Sequence, residues 1–240
     1  MLFDKKGNNP ALAVGYLFKG LKLLASTQLR TFIIIPVLIN VVLYSAALIL
    51  GYYYISDLIN QFIPGWLQWL SWVLWPLFFI SFFIAGFFTF TILANLLAAP
   101  FYGKLSAKTL AIITGQAGAS AEQPLTKVML AEAKRAGYLL SRALPLLVLS
   151  IIPGINVIAP FLWALFGAWG MALEYMAYPL ENAGVLFSEQ KPLVKSIRLG
   201  ALSFGGVAAL GLTIPVLNII VAPAAVIGAT IYFNEVRKQG

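Results

Sequence analysis

Four stretches of this chain carry no charged residue, and their lengths constrain its fold more than any motif does: residues 31–56, 58–103, 143–173 and 199–234. A bilayer's hydrocarbon core is ~30 Å thick and takes about 20 apolar residues as a helix. All four stretches exceed that length. The chain as a whole is 61 % hydrophobic and only 10 % charged, where soluble domains run at about 45–50 % and about 25 %. A soluble fold does not hide that much apolar side chain. The solvent is therefore lipid, and the fold class is an all-α integral membrane protein.

The interiors of the four stretches differ. Residues 31–56 read as one spanning helix that ends in the interfacial cluster Tyr52-Tyr53-Tyr54. The second stretch is too long for one span. It opens with Pro64-Gly65 and with Trp66, Trp69, Trp72 and Trp75 at three-residue spacing, the pattern of a short interfacial helix. A second spanning helix then runs over 76–99, from Pro76 to a stop at Pro100. The third and fourth stretches each break midway, at Ile152-Pro153-Gly154-Ile155-Asn156 and at Ile214-Pro215-Val216-Leu217-Asn218. Each arm before its break is about 10–15 residues, half to three-quarters of the hydrocarbon depth.

Lysine and arginine are distributed unevenly over the connections. Residues 1–30 hold five, 104–142 six, 174–198 three and the C-terminus two, while 57–65 hold none. The positive-inside rule places every connection but 57–65 in the cytoplasm. The reading that meets both the charge count and the short arms is one membrane domain, 1–240. It has two long transmembrane helices (31–56 and 76–99) and a cytoplasmic connection with a helix (104–142). Two Pro-broken re-entrant hairpins, 143–173 and 199–234, penetrate half the bilayer. The rival is six full spans. Residues 10–30 place Gly15, Lys19, Lys22 and Ser26 on one helical face, as in a helix lying at the membrane surface. Lys5 and Lys6 precede this segment like the start of a signal peptide, but Ala11-Leu12-Ala13 comes too early for a cleavage site, so the segment is read as retained. Residues 114–124 are small and polar, an exposed loop.

The chain has no cysteine and no histidine. That removes thiol nucleophiles, Ser-His-Asp triads and imidazole metal sites. The eight carboxylates (Asp4, Asp57, Glu122, Glu132, Glu174, Glu181, Glu189 and Glu235) show no paired spacing for acid–base work. An enzyme, a metal or other cofactor, and a nucleic-acid partner are not expected. The net charge of +8 sits beside apolar runs and forms no separate basic domain.

A hairpin tip leaves a helix N-terminus at membrane depth, with unpaired N–H groups and about half a positive charge. Asn156 and Asn218 stand where an N-cap of each second arm would stand. Two such tips facing a common axis would form an anion site; equally, each Asn caps its own helix. Arg30, with Gln28 and Thr31, supplies donors at the start of the first span, or serves only as a topology anchor. Glu174 ends an apolar run, where a carboxylate is costly. It is a proton-coupling group, a partner for Arg142, or an interface residue reaching water. Asn40 and Asn95 are lone amides within the spans, suited to a neighbouring helix or a solute.

Gln28-Leu-Arg30, Ile35-Pro-Val-Leu-Ile-Asn40, Asn95-Leu-Leu-Ala-Ala-Pro-Phe101, Ile152-Pro-Gly-Ile155, Ala177-Tyr-Pro-Leu-Glu-Asn182 and Ile214-Pro-Val-Leu-Asn218 resemble, in order along roughly residues 10–237, the CysZ-type sulfate permeases of bacteria. The resemblance implies sulfate uptake across the inner membrane for cysteine synthesis. It also implies two long spanning helices with partly penetrating hairpins, and a homo-oligomer in the lipid bilayer. The family associates Gly-Leu-Arg, often followed by a second Arg, with sulfate binding. Here Leu29 and Arg30 match, while Gln28 replaces the Gly and Thr31 the second Arg, leaving one guanidinium. Asn40, Asn95 and Asn218 fall on family Asn positions, whereas some relatives lack Asn at the position of Asn156. Arg142 matches a family Arg before the first hairpin, and Glu181-Asn182 an acidic-Asn pair. Glu174 aligns with an uncharged amide in some members, which speaks against an obligatory proton carrier.

Entry of a dianion against an inside-negative potential costs about 4.6 kcal/mol per 100 mV. The chain has no GxxxxGK[ST] loop for ATP. With so few carboxylates a channel-like or weakly coupled path is expected. The alternative is a non-transporting scaffold or regulator of another permease.

Overall fold

Every element of the computed structural model, which describes residues 1–115 and 124–237, is helical apart from one isolated bridge between Phe3 and Arg237. The polar segment 116–123 with Glu122, and the side chains of Asn40 and Asn95, lie outside the described residues. The described helices are α1 (Pro10–Leu24), α2 (Thr31–Phe62), α3 (Ser71–Thr114), α4 (Leu125–Ile151), α5 (Ala159–Asn182), α6 (Phe187–Ser196), α7 (Arg198–Leu212) and α8 (Pro215–Val236). They fall into two compact units, residues 32–100 and residues 1–31 with 101–240.

The smaller unit is an antiparallel helix pair. Tyr52 stacks on Trp75 at 4.8 Å, and the Tyr44 hydroxyl donates to the Gly86 carbonyl at 2.6 Å. Val37–Phe62 and Gly65–Gly86 are each long and apolar enough to cross a membrane, and neither is buried inside the protein. Leu50 is 69 % exposed and Trp72 85 %. Burial in water-free surroundings is worth about 25 cal/mol per Å² of such surface, so these faces demand lipid.

Two boundaries differ from the sequence reading. The first span does not end at residue 56 but runs through Asp57 to Phe62. The second helix does not start at Pro76 or stop at Pro100; it covers 71–114 without a break. A proline removes one ladder hydrogen bond. In an apolar medium, leaving the helix would expose several more polar backbone groups, so continuing is the cheaper path. The expected tryptophan helix is a six-residue 3₁₀ segment, Gly65–Leu70, carrying only Trp66 and Trp69; Trp72 and Trp75 belong to α3.

The larger unit is built around α1, α5, α7 and α8, with α4 and α6 against α5. Asn9 caps α1 by accepting from Ala11 N at 3.0 Å. The helix then runs antiparallel to α8: Tyr16 stacks on Tyr232 at 5.1 Å, and the Tyr232 hydroxyl donates to the Gly7 carbonyl. A methyl group added at Gly228 would lie 2.8 Å from the Tyr16 carbonyl oxygen and 2.9 Å from Leu17 Cα. This is small-residue packing of the kind that joins helices in membranes. The surface helix expected over 10–30 is thus shorter, ending at Leu24. It packs along α7 and α8 on its Ala13, Tyr16, Leu17, Gly20 and Leu24 face, while Lys19 and Lys22 stay exposed.

Both midway breaks are present. Between α4 and α5, Gly154 adopts φ +84°, a left-handed conformation that favours glycine. A 3₁₀ turn, Ile155–Val157, follows. Between α7 and α8 the break is Thr213-Ile214. Neither asparagine is an N-cap. Asn156 sits within the 3₁₀ turn, and Asn218 is already one turn inside α8, its N–H bonded to the Ile214 carbonyl at 2.9 Å. Pro215 occupies the first helical position instead, where its missing N–H costs nothing.

Candidate functional site

The helix α4 carries Glu132 and Arg135 one turn apart, a spacing that brings their side chains together. The Arg135 side chain is only 7 % exposed. A guanidinium buried that far requires partners, and three helices supply them. Its Nη1 lies 3.1 Å from Glu132 Oε1 and 3.4 Å from Glu174 Oε2; its Nη2 lies 2.9 Å from Glu181 Oε1. Glu174 and Glu181 are seven residues apart on α5, two turns along one face. From α6, Gln190 Oε1 accepts from Nη2 at 3.3 Å, and its amide donates to Glu181 Oε1 at 3.3 Å and to the Val185 carbonyl at 2.9 Å. The Tyr178 hydroxyl donates to Glu174 Oε1 at 3.2 Å. Only Nε of the guanidinium is buried without a hydrogen-bond partner among the described residues.

Three carboxylates face one cation here, so the group is over-supplied with negative charge. Burial raises the Glu132 carboxyl above its ordinary range; Glu181 and Glu174 push it further, and Arg135 only partly opposes them. The native state therefore holds this proton more tightly than the unfolded chain. Stability from this group is greatest below the ordinary carboxylate value of about 4.3 and falls as pH rises through the raised native value. Unfolding scans of wild type and Glu132→Gln between about pH 4 and pH 8 should show the variant gaining on wild type as pH rises. Equal slopes would contradict this.

The sequence-expected residues fall into separate places. Glu174 and Glu181 meet at Arg135. Arg142, the expected partner of Glu174, does not pair with it. Its guanidinium lies 3.9 Å from the Tyr138 ring centroid and donates to Ser141 Oγ at 3.1 Å. Arg135 stands two helical turns before Arg142 on the same face of α4. Asn182, beside Glu181, donates to the Gly103 carbonyl at 3.0 Å.

Gln28, Leu29, Arg30 and Thr31 form the turn that enters α2. Leu29 is fully buried, and its N–H and that of Arg30 bond to the Ser26 carbonyl at 3.2 and 3.1 Å. This peg leaves Gln28, Arg30 and Thr31 exposed. No carboxylate among the described residues comes within ion-pair distance of Arg30, so its donors are available to an anion. Asn156 and Asn218 are both exposed near the two breaks. A separate cavity of about 1060 Å³ lies between α1, α5 and α7, lined by Phe18, Trp163, Gly167, Gly206 and Leu210 among others. No charged side chain lines it.

Sequence reasoning missed Arg135, Glu132 and Gln190. The Glu132-to-Arg135 spacing was a visible signal, but it lay outside the charge-free stretches.

Over residues 16–223 the chain matches the family described as Sulfate transporter CysZ/Etoposide-induced protein 2.4. It is 41 % identical to the sulfate transporter CysZ of Pseudomonas syringae pv. tomato, covering 94 % of this chain and 92 % of the relative. The sulfate transporter CysZ of Pseudomonas aeruginosa is 39 % identical, with 94 % of each chain covered. That of Pectobacterium atrosepticum is 38 % identical, over 90 % of this chain and 82 % of the relative.

Proposed function

Because this chain belongs to the sulfate transporter CysZ/etoposide-induced protein 2.4 family, we propose that it is a sulfate permease of the bacterial inner membrane that supplies sulfate for cysteine biosynthesis. The observation that carries this reading is 39–41 % identity, over 94 % of the chain, to proteins named as sulfate transporters. It is a transporter and not an enzyme. The exposed apolar faces of α2 and α3 fit a multi-pass membrane protein.

The two broken helix pairs are read as re-entrant hairpins. Beyond Arg142, α4 continues over residues 143–151, about 14 Å or half the hydrocarbon core. The charge-free part of α7, residues 199–212, reaches about 21 Å. In the second hairpin α8 is longer, with Leu217–Val236 sufficient to cross by length. Sulfate meets the single guanidinium of Arg30 at the α2 entry, with Gln28 and Thr31 adding neutral donors. One guanidinium and no dedicated driving machinery suit weak, reversible binding, which a channel-like or weakly coupled path needs. Protomers associate as a homo-oligomer in lipid.

Equilibrium binding of sulfate to the purified protein tests the site. Arg30→Ala should weaken it about ten- to a hundredfold, the worth of one charge-assisted contact. Unchanged binding in a folded Arg30→Ala variant would remove Arg30 from the site.

A further inference from the structure

We infer that Arg135 is a second oxyanion ligand on this protein, masked by its own carboxylates. The inference rests on the transport reading above. A guanidinium fork recognises planar carboxylate and tetrahedral oxyanion oxygens by the same bidentate geometry. In the structure that fork is occupied by Glu174 on Nη1 at 3.4 Å and Glu181 on Nη2 at 2.9 Å, with Glu132 sharing Nη1 at 3.1 Å. The occupants are more numerous than the charge requires. Glu132, Glu174 and Glu181 leave two negative charges over after Arg135, and their side chains are 48 %, 42 % and 29 % exposed. Each therefore keeps a path to water and is a displaceable partner rather than a locked one.

The guanidinium also holds a buried N–H, on Nε, with no partner among the described residues. A buried donor left unpaired is costly and calls for an acceptor. The remaining neighbours supply none: Phe187 presents its ring, with its centroid 5.9 Å from Arg135 Cζ, and Lys191 turns to the Tyr138 ring at 5.0 Å. An oxyanion that displaces Glu181 would meet Nη2 and Nε together along one edge of the guanidinium. The carboxylates keep that site weak, because any arriving dianion is repelled by the charges it displaces. Weakness is useful in a permease, since a solute held tightly is not released.

The test is equilibrium sulfate binding to the detergent-purified full chain, with Glu181→Gln and Glu174→Gln beside wild type. Elution and thermal unfolding establish that each variant is folded. Glutamine keeps shape and hydrogen bonding while removing one charge close to the dianion. Either variant should bind sulfate on the order of tenfold tighter. Chloride at matched ionic strength should gain far less, because it cannot span the fork. Tighter binding in either variant together with the sulfate preference supports a masked site. Wild-type binding with no tightening in either folded variant overturns the masked site and leaves the transport reading standing. An equal gain for chloride overturns it too, reducing the effect to general charge. Absence of sulfate binding in wild type and both variants overturns both readings.

Discussion

Arg135→Ala should lower the stability of the larger unit by roughly 2–3 kcal/mol. Breaking a buried ion pair by removing one partner costs about 3–5 kcal/mol when the other charge stays buried. Here the abandoned carboxylates are 29–48 % exposed and recover part of their hydration, so the loss is smaller. The substitution also removes ties to two neighbouring helices at once, since Arg135 bonds from α4 to Glu174 and Glu181 on α5 and to Gln190 on α6. Thermal unfolding of the purified protein reads the effect. Glu132→Ala should cost much less, because Glu132 is the most exposed of the three carboxylates and its charged form is disfavoured where it stands. A folded Arg135→Ala protein with wild-type stability would mean that the cluster holds nothing together.

Gly228→Ala should be comparably severe, at about 2–3 kcal/mol, though it adds one methyl group. The new carbon meets backbone, not a side chain that can turn away: the Tyr16 carbonyl at 2.8 Å and Leu17 Cα at 2.9 Å. Overpacking of this kind forces the helices apart. The α1–α8 contact then opens, and the Tyr232 bond to the Gly7 carbonyl goes with it. Trypsin cleavage at the exposed Lys19 and Lys22 should rise in the variant. Gly15→Ala is the matched control, since nothing lies within 4 Å of a methyl group there. Alanine in a helix interior is otherwise favourable by about 1 kcal/mol. Equal protease sensitivity of both variants would contradict the packing.

The parts of the fold legible in the sequence were those set by the bilayer. The charge-free stretches located α2 and α3 because lipid selects against charge, and the interruptions at Ile152–Asn156 and at Pro215 located the breaks between α4 and α5 and between α7 and α8 because Pro and Gly act locally. Helix ends were less legible where lipid changes the local rule. Pro100 looked like a stop and was not, because a helix in apolar surroundings has no better place for its backbone groups. The asparagines looked like caps, but the proline at the first position of α8 had already set that start. Tertiary pairing was the least legible. Glu174 was a visible oddity, but the arginine offered as one of its readings, Arg142 at the edge of the apolar run, is not its partner; Arg135 two turns back is. Nothing local distinguishes those arginines; the difference is how α4 crosses α5 and α6. At the α2 entry, the exposed Gln28–Arg30–Thr31 group follows from a single buried residue, Leu29, whose burial sequence alone did not reveal.

Uptake of radiolabelled sulfate into proteoliposomes, at controlled membrane potential, separates a sulfate permease from a protein that moves no sulfate. Saturable uptake above protein-free vesicles is expected, accelerated when the interior is made positive. An uncoupled dianion gains about 4.6 kcal/mol per 100 mV in that direction. No sulfate uptake above protein-free vesicles, with the protein folded and inserted, would contradict the permease reading.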